Sequence, residues 1–237
     1  MKQSILIFIL LFSLTNTFGQ KTELSGAMNS GAFSFSGVSA WASTSINWDD
    51  LTNSGYTNGV YGSKSAFCYG ISFNVKRATK RNFLFGIDMG YETLRSRISI
   101  DRIDGYTGFS TYQYTASGKT ILSSDFLNIN PYLGYRINMG KVSFDLTAGY
   151  EVGYCLDARE KGDATASNSL KYSVSGERET IKVDIRPGVK FSARYRKFDL
   201  YAGYSKGIIN YEMWDKGDGR WESYSRIIRF GITYQIN

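Results

Sequence analysis

Residues 182–196 read Lys-Val-Asp-Ile-Arg-Pro-Gly-Val-Lys-Phe-Ser-Ala-Arg-Tyr-Arg and sort cleanly by parity. Val183, Ile185, Pro187, Val189, Phe191, Ala193 and Tyr195 fall on one parity. Lys182, Asp184, Arg186, Gly188, Lys190, Ser192, Arg194 and Arg196 fall on the other. Successive side chains of a strand point to opposite faces, so the segment predicts a ribbon with one apolar and one charged face. It is far longer than the usual strand of about five or six residues. A chain built from such ribbons must place the two faces in two different surroundings.

The same period recurs. Phe67, Tyr69, Ile71, Phe73 and Val75 alternate with Cys68, Gly70, Ser72, Asn74 and Lys76. Phe83 to Glu92 repeats the pattern, and its continuation to Ile100 loses strict parity. Leu127 to Met139, Val142 to Asp157, Phe198 to Ser205 and Ile228 to Ile236 follow suit. Ala32 to Ser43 gives a weaker first strand after a polar leader at 20–30, which makes eight strands. The connections at Arg77–Arg81, Gly140-Lys141 and Lys197 are short. Those at Thr44–Ser63, Asp101–Lys119, Ala158–Thr180 and Glu212–Tyr224 are long and polar, and predict loops. Strict alternation of long and short connections suits a transmembrane β-barrel with short periplasmic turns and long extracellular loops. In lipid only a closed ring satisfies every backbone group, so strands one and eight must pair.

The N-terminus agrees with an exported chain. Met1-Lys2-Gln3 precedes the apolar run Ser4-Ile-Leu-Ile-Phe-Ile-Leu-Leu-Phe12, and Thr17-Phe18-Gly19 supplies a small-x-small site. The run is short of the roughly 20 residues a spanning helix needs. This predicts a signal peptide over 1–19 and a single barrel domain over 20–237. The net charge of +7 is scattered, with no basic run, which argues against nucleic acid as a partner. Cys68 and Cys155, the two cysteines, make no disulfide framework or metal spacing.

Three features turn the apolar face outward. The polar face carries both signs of charge: Asp88, Glu92, Asp145, Glu151 and Asp184 beside Arg136, Arg186, Lys190, Arg194 and Arg229. Inside a narrow barrel these can pair, as buried charges must. Glycines on the same face, such as Gly86, Gly149 and Gly231, leave room for the long side chains. Aromatics cluster at strand ends on the apolar face, with Phe83, Tyr195, Phe198 and Tyr234 at one level and Tyr69, Tyr91, Tyr154 and Tyr204 at the other. Two such levels are the girdles of a membrane barrel. Pro131 and Pro187 sit within strands, where a missing N–H predicts a bulge or kink.

The stretches Phe126-Leu-Asn-Ile-Asn-Pro-Tyr-Leu-Gly-Tyr135, Leu146-Thr-Ala-Gly-Tyr-Glu-Val-Gly-Tyr154, Leu200-Tyr-Ala-Gly-Tyr204 and Phe230-Gly-Ile-Thr-Tyr-Gln-Ile236 carry a resemblance. The chain resembles the eight-stranded outer-membrane β-barrel proteins, in particular the PorT-like group of Bacteroidetes-type bacteria. The resemblance implies an outer-membrane location, outer-membrane lipid as surroundings and the barrel-assembly machinery as a partner. Such barrels usually end on an aromatic residue; here Ile236 stands in that place and Asn237 follows.

The chain has no histidine, which excludes Ser-His-Asp triads and His-ligated metals and predicts no cofactor. The lumen carboxylates point to ion pairing before acid–base work. Specific function then falls to the loops. Trp48, Tyr56, Tyr106, Phe109, Tyr112, Tyr114, Trp214 and Trp221 could stack on an extracellular glycan or meet a protein ligand, or simply brace the loops. Asp215-Lys-Gly-Asp218 has only a faint calcium-loop character. The expectation is a non-enzymatic barrel with a structural or surface-interaction role; a narrow channel and a lipid-modifying enzyme are the alternatives.

Overall fold

The structure, a computed structural model, describes residues 21–212 and 221–236. The predicted signal peptide, Trp214, the 215–218 segment and Asn237 lie outside the described residues. Among the described residues the strands are β1 (Lys21–Ser36), β2 (Ser43–Asp49), β3 (Ser54–Thr57), β4 (Lys64–Ala78), β5 (Phe83–Tyr106), β6 (Thr111–Met139), β7 (Val142–Ala166), β8 (Lys171–Glu177), β9 (Val183–Tyr195), β10 (Phe198–Lys206) and β11 (Tyr224–Gln235).

Eight of these close into a ring. β1, β4, β5, β6, β7, β9, β10 and β11 each pair antiparallel with the next, and β1 meets β11 from Ser25↔Gln235 to Ser36↔Tyr224. The three short turns each carry one left-handed residue: Asn82, Gly140 and Arg196. Asn and Gly adopt that conformation readily, whereas Arg196 does so at a steric cost and lays its guanidinium over the Tyr195 ring at 5.3 Å.

The first strand is not where periodicity placed it. It runs over Lys21–Ser36, so the supposed polar leader is a wall strand, and the predicted stretch Ala32–Ser43 is mostly its end and the exit turn at Gly37. Its outward positions include Gly26, Ser30 and Ala32, which give no apolar signal. Ladders to β4 and β11 along its length hold it in place.

Three of the predicted loops are also corrected. β5 and β6 run to Tyr106 and back from Thr111, β7 runs to Ala166, and β8 lies against β7 within the predicted Ala158–Thr180 loop. β2 and β3 fill the predicted Thr44–Ser63 loop, with β2 parallel to the outer end of β5 from Ser43↔Ser99 to Asp49↔Tyr106. β6, at 29 residues, is far longer than the 9–11 residues or so that cross a bilayer.

Polarity inverts partway up these strands. On β7, Leu146, Tyr150, Tyr154 and Leu156 face outward and exposed, while Asp145, Thr147 and Glu151 are buried. Further along, Arg159, Lys161 and Asp163 are exposed and Ala164 and Ala166 are buried. β5 does the same: Met89 and Tyr91 face out, and beyond them Leu94, Ile98, Ile100 and Ile103 are buried. The outer ends of β5, β6 and β7, joined by β2, β3 and β8, therefore wrap their own apolar core of Ile46, Ile98, Ile100, Ile103, Tyr172 and Val174. Between β3 and β8 side chains complete the wrap. The Thr57 hydroxyl donates to Glu160, and Arg178 donates to Glu160 Oε2 at 2.7 Å through Nε and to the Thr57 carbonyl at 3.2 Å.

The prolines produce no bulge. The β6–β7 register runs from Ile129↔Val152 to Tyr132↔Gly149 without a shift, and Pro187 sits opposite Tyr150, one residue beyond the last β9–β10 pair, Ser205↔Gly188. Pro131 interrupts its ladder locally, and Pro187 falls where pairing to β10 has already ended. The shifts in the ring lie elsewhere, at Ser65/Tyr69, Ile100/Arg102 and Asp125/Phe126, and a further one lies at Thr44/Ser45 between β2 and β5.

The inversion sets a test. Leu133→Arg, mid-belt and 70 % exposed, is expected to cost about 2–4 kcal/mol in phospholipid vesicles. Ser117→Arg, outward on the same strand above the belt, is expected to change stability by less than about 0.5 kcal/mol. Urea unfolding of both variants checks this; equal costs would contradict the assigned belt.

Candidate functional site

The lumen is filled in layers. Nearest the short turns, Glu23 accepts from Arg136 Nη1 at 2.7 Å and Arg194 Nη1 at 2.6 Å. Asp145 accepts from Arg136 Nε and from Lys76 Nζ, each at 2.7 Å, and Arg194 Nη2 reaches Asp199 at 2.7 Å. Three bases and three acids thus balance in a buried cluster. One layer up, Lys190 donates to Asp88 at 2.7 Å and stands over the Tyr132 and Tyr201 rings at 5.1 and 5.4 Å. A Cβ at Gly86 or Gly231 would sit 2.5 Å from those tyrosines, so the rings need these glycines to lie against the wall. Next, Arg229 pairs with Glu92 at 2.7 Å and Glu151 at 2.8 Å, while Arg186 pairs with Glu151 and Asp184, each at 2.6 Å.

The structure thus brings the sequence-predicted lumen residues Asp88, Glu92, Arg136, Asp145, Glu151, Asp184, Arg186, Lys190, Arg194 and Arg229 into one stack of ion pairs. Sequence reasoning left out Glu23, Lys76 and Asp199. Lys76 and Asp199 share the inward parity, which could have flagged them; Glu23 was hidden in the supposed leader. The chamber left between the layers is about 110 Å³, room for roughly seven to ten waters.

Above the ions the lumen turns apolar, which the charged-lumen reading did not foresee. Arg186 packs its guanidinium on the Phe126 ring at 4.5 Å. Phe33, Phe35, Tyr61, Leu94, Leu122, Phe126, Tyr211 and Ile227 close the mouth, together with Cys68 and Cys155, both free thiols. Phe35 meets Tyr61 and Tyr211 with ring centroids 4.8 Å apart. The Tyr211 hydroxyl donates to Asp184 at 2.7 Å. Burial, and then that neighbouring carboxylate, hold its phenol well above the ordinary range.

At the far tip of the extension lies an open cleft of about 750 Å³, lined by Trp48, Asp49, Tyr56, Asp104, Tyr106, Tyr112 and polar neighbours including Asn47 and Gln113. Tyr112 lies across Gly105, where a Cβ would come within 1.9 Å of its ring, and donates to Asp50 at 2.9 Å. Burial, a bond to Tyr172 and that carboxylate raise its pKa, so it stays a neutral donor. Trp48 is half-buried with its ring on Tyr172 at 5.1 Å, and Trp221 is half-buried beside Trp41 at 6.0 Å. Of the four loop aromatics singled out, Trp48 and Tyr112 thus share the cleft, Trp221 lies against Trp41, which packs on the extracellular core, and Trp214 is outside the described residues. Tyr56 and Tyr106 are the more exposed rings, at 54 % and 47 %. Among the described residues no group of acidic, cysteine or histidine side chains has metal-binding geometry.

A family model described as "Outer membrane protein beta-barrel domain" matches residues 21–211. No curated protein matches the chain. Among solved structures, the chain is similar to Ail, the attachment invasion locus protein of Yersinia pestis, in complex with the heparin analogue sucrose octasulfate. Identity is 13 % over 93 % of this chain and 100 % of that one, with a TM-score of 0.35. It is likewise similar to Neisserial surface protein A, at 14 % identity over 92 % and 99 % of the two chains, with a TM-score of 0.35.

The ion stack yields a prediction. Glu23→Ala strands Arg136 and Arg194 without a shared acceptor, and is expected to cost about 3–5 kcal/mol. Asp101→Ala, at an exposed position on β5, is expected to stay within about 0.5 kcal/mol. The unfolding midpoint of the heat-modifiable gel band reads both; a Glu23→Ala midpoint equal to wild type would show that the stack contributes no stability.

Proposed function

Because the chain belongs to the outer membrane protein β-barrel domain family, we propose that it is a non-enzymatic surface-interaction protein that binds an uncharged extracellular glycan in its tip cleft. The inversion of strand polarity carries this reading. Strands that only anchored the protein could end at the membrane; these build a second apolar core outside and hold a cleft at its end. In that cleft aromatic faces stand beside carboxylates and amides. Such faces stack on the C–H faces of sugars, and the polar groups accept and donate to hydroxyls. Two bases stand near the rim, and both are already paired: Arg102 with Asp104 at 2.8 Å, and Arg178, which lies over the Tyr56 ring at 5.8 Å, with Glu160, so the site suits a neutral ligand.

The strand motifs support a place in the PorT-like group, with the signal peptide removed after Gly19 and assembly by the barrel-assembly machinery. Two successive blocks, ionic and aromatic, oppose conduction. A lipid-modifying enzyme is opposed by a lumen that holds ions where such chemistry needs a dry, lipid-sized pocket.

Glycan-array screening of the folded protein, followed by calorimetry, tests the cleft. Tyr56→Ala and Tyr106→Ala are each expected to weaken glycan binding roughly tenfold or more without altering the heat-modifiable band. Binding that survives both substitutions would move the site elsewhere. In planar bilayers the protein is expected to show no unitary conductance; discrete openings would favour the channel. N-terminal sequencing of the membrane-extracted protein is expected to begin at Gln20.

A further inference from the structure

Just beyond the lipid-facing belt, one side of the barrel carries basic residues that form no ion pair with an acid among the described residues. Lys206 on β10 lies opposite Arg226 on β11, and Arg226 lies opposite Ser34 on β1. On the adjoining strands Lys64 of β4 lies opposite Arg97 of β5, and Arg95 follows on the same face. The residues directly beneath are apolar: Tyr204 and Ile228, two positions below Lys206 and Arg226, and Phe67, Tyr69 and Tyr91 on β4 and β5, all exposed.

Three of these bases, Lys64, Arg95 and Arg226, have hydroxyl partners. Lys64 Nζ donates to Ser99 Oγ at 2.6 Å, Arg226 Nη2 to Ser34 Oγ at 3.0 Å, and Arg95 Nε to Ser123 Oγ at 3.4 Å. Arg95 also stacks over the Tyr69 ring at 5.2 Å. Hydroxyl partners orient a cation and leave its charge intact. Elsewhere on the outer face most bases are paired with acids, Arg102 with Asp104, Arg159 with Asp157 and Glu177, and Lys171 with Asp163, while among the described residues Lys161 stands alone rather than in a cluster. Among the described residues none of Lys64, Arg95, Arg97, Lys206 and Arg226 has a carboxylate partner. Cations gathered at one height of a membrane protein, at the edge of the hydrocarbon, sit where headgroup phosphates lie.

We propose that this arc binds the phosphates of an anionic glycolipid in the outer leaflet, fixing a headgroup against the β10–β11–β1–β4–β5 wall. Arginine supplies planar forks suited to phosphate, and the aromatic rim below seats the first part of the acyl chains. The inference rests on the outer-membrane placement and is independent of the glycan cleft, which faces solvent at the other end of the extension.

The test uses the folded full-length mature protein in nanodiscs, with diphosphorylated lipid A and its dephosphorylated form as paired probes and native mass spectrometry as readout. Wild type is expected to retain the phosphorylated form at least roughly tenfold better. Lys64→Gln/Arg95→Gln/Arg97→Gln/Arg226→Gln is expected to lose that preference. Arg102→Gln/Arg159→Gln/Lys161→Gln/Lys171→Gln, which removes the same formal charge elsewhere, is expected to keep it. Should the first variant fail to show a heat-modifiable band, Arg97→Gln/Lys206→Gln replaces it, since both side chains are exposed. Equal retention of the two probes by wild type, or an equal loss in the control variant, would overturn the proposal. Neither result would touch glycan binding by the cleft.

Discussion

The seam between β1 and β11, from Ser25↔Gln235 to Ser36↔Tyr224, is the contact on which the remaining structure depends. An open sheet in hydrocarbon would leave a row of backbone N–H and C=O groups without partners, at several kcal/mol each. Closing the ring removes that row and, in the same act, creates an interior. Once an interior exists, every second residue of eight strands must be accommodated inside it. The weakest strand by composition, β1, is therefore also the one the fold can least do without, and its Glu23 is placed where three basic side chains converge.

Charge inside the ring is tolerable because it is matched almost residue by residue. Glu23, Asp145 and Asp199 meet Arg136, Arg194 and Lys76, and Glu92, Glu151 and Asp184 meet Arg186 and Arg229. Such pairs make a weak case for stability compared with an apolar core, yet breaking one is costly. That asymmetry suits a barrel wall: the network resists rearrangement of register, since a slip of one residue would turn every ion toward lipid. The aromatic stopper above it serves a different end. It joins the ionic stack to the extracellular core, through Arg186 on Phe126 and Tyr211 on Asp184.

Function follows from the change of solvent along single strands. Where the surroundings are lipid, β5, β6 and β7 turn apolar residues out; where they are water, the same strands turn them in. The membrane half is committed to anchoring. The solvated half carries the tip cleft, and the boundary between them carries the unneutralised bases. Each proposed contact thus lies where its ligand would be found: sugar at the tip, phosphate at the rim.

Period two was legible in the sequence because it is local: Val183 to Tyr195 declares its two faces with no knowledge of neighbours. The ring of eight, the short connections at 77–81, Gly140-Lys141 and Lys197, and the inward set from Asp88 to Arg229 were readable on that basis. What escaped was whatever depended on partners far along the chain. Glu23 looks like leader until β4 and β11 flank it, and Ile98 and Ile103 look like strand decay until β2 and β8 supply a core for them. Tyr56 and Tyr112 share a cleft only after β3 and the β5–β6 hairpin are brought to one end. Alternation fixes which side a residue faces; only the tertiary structure decides whether that side meets lipid, water or another side chain, because surroundings are made by residues distant in sequence.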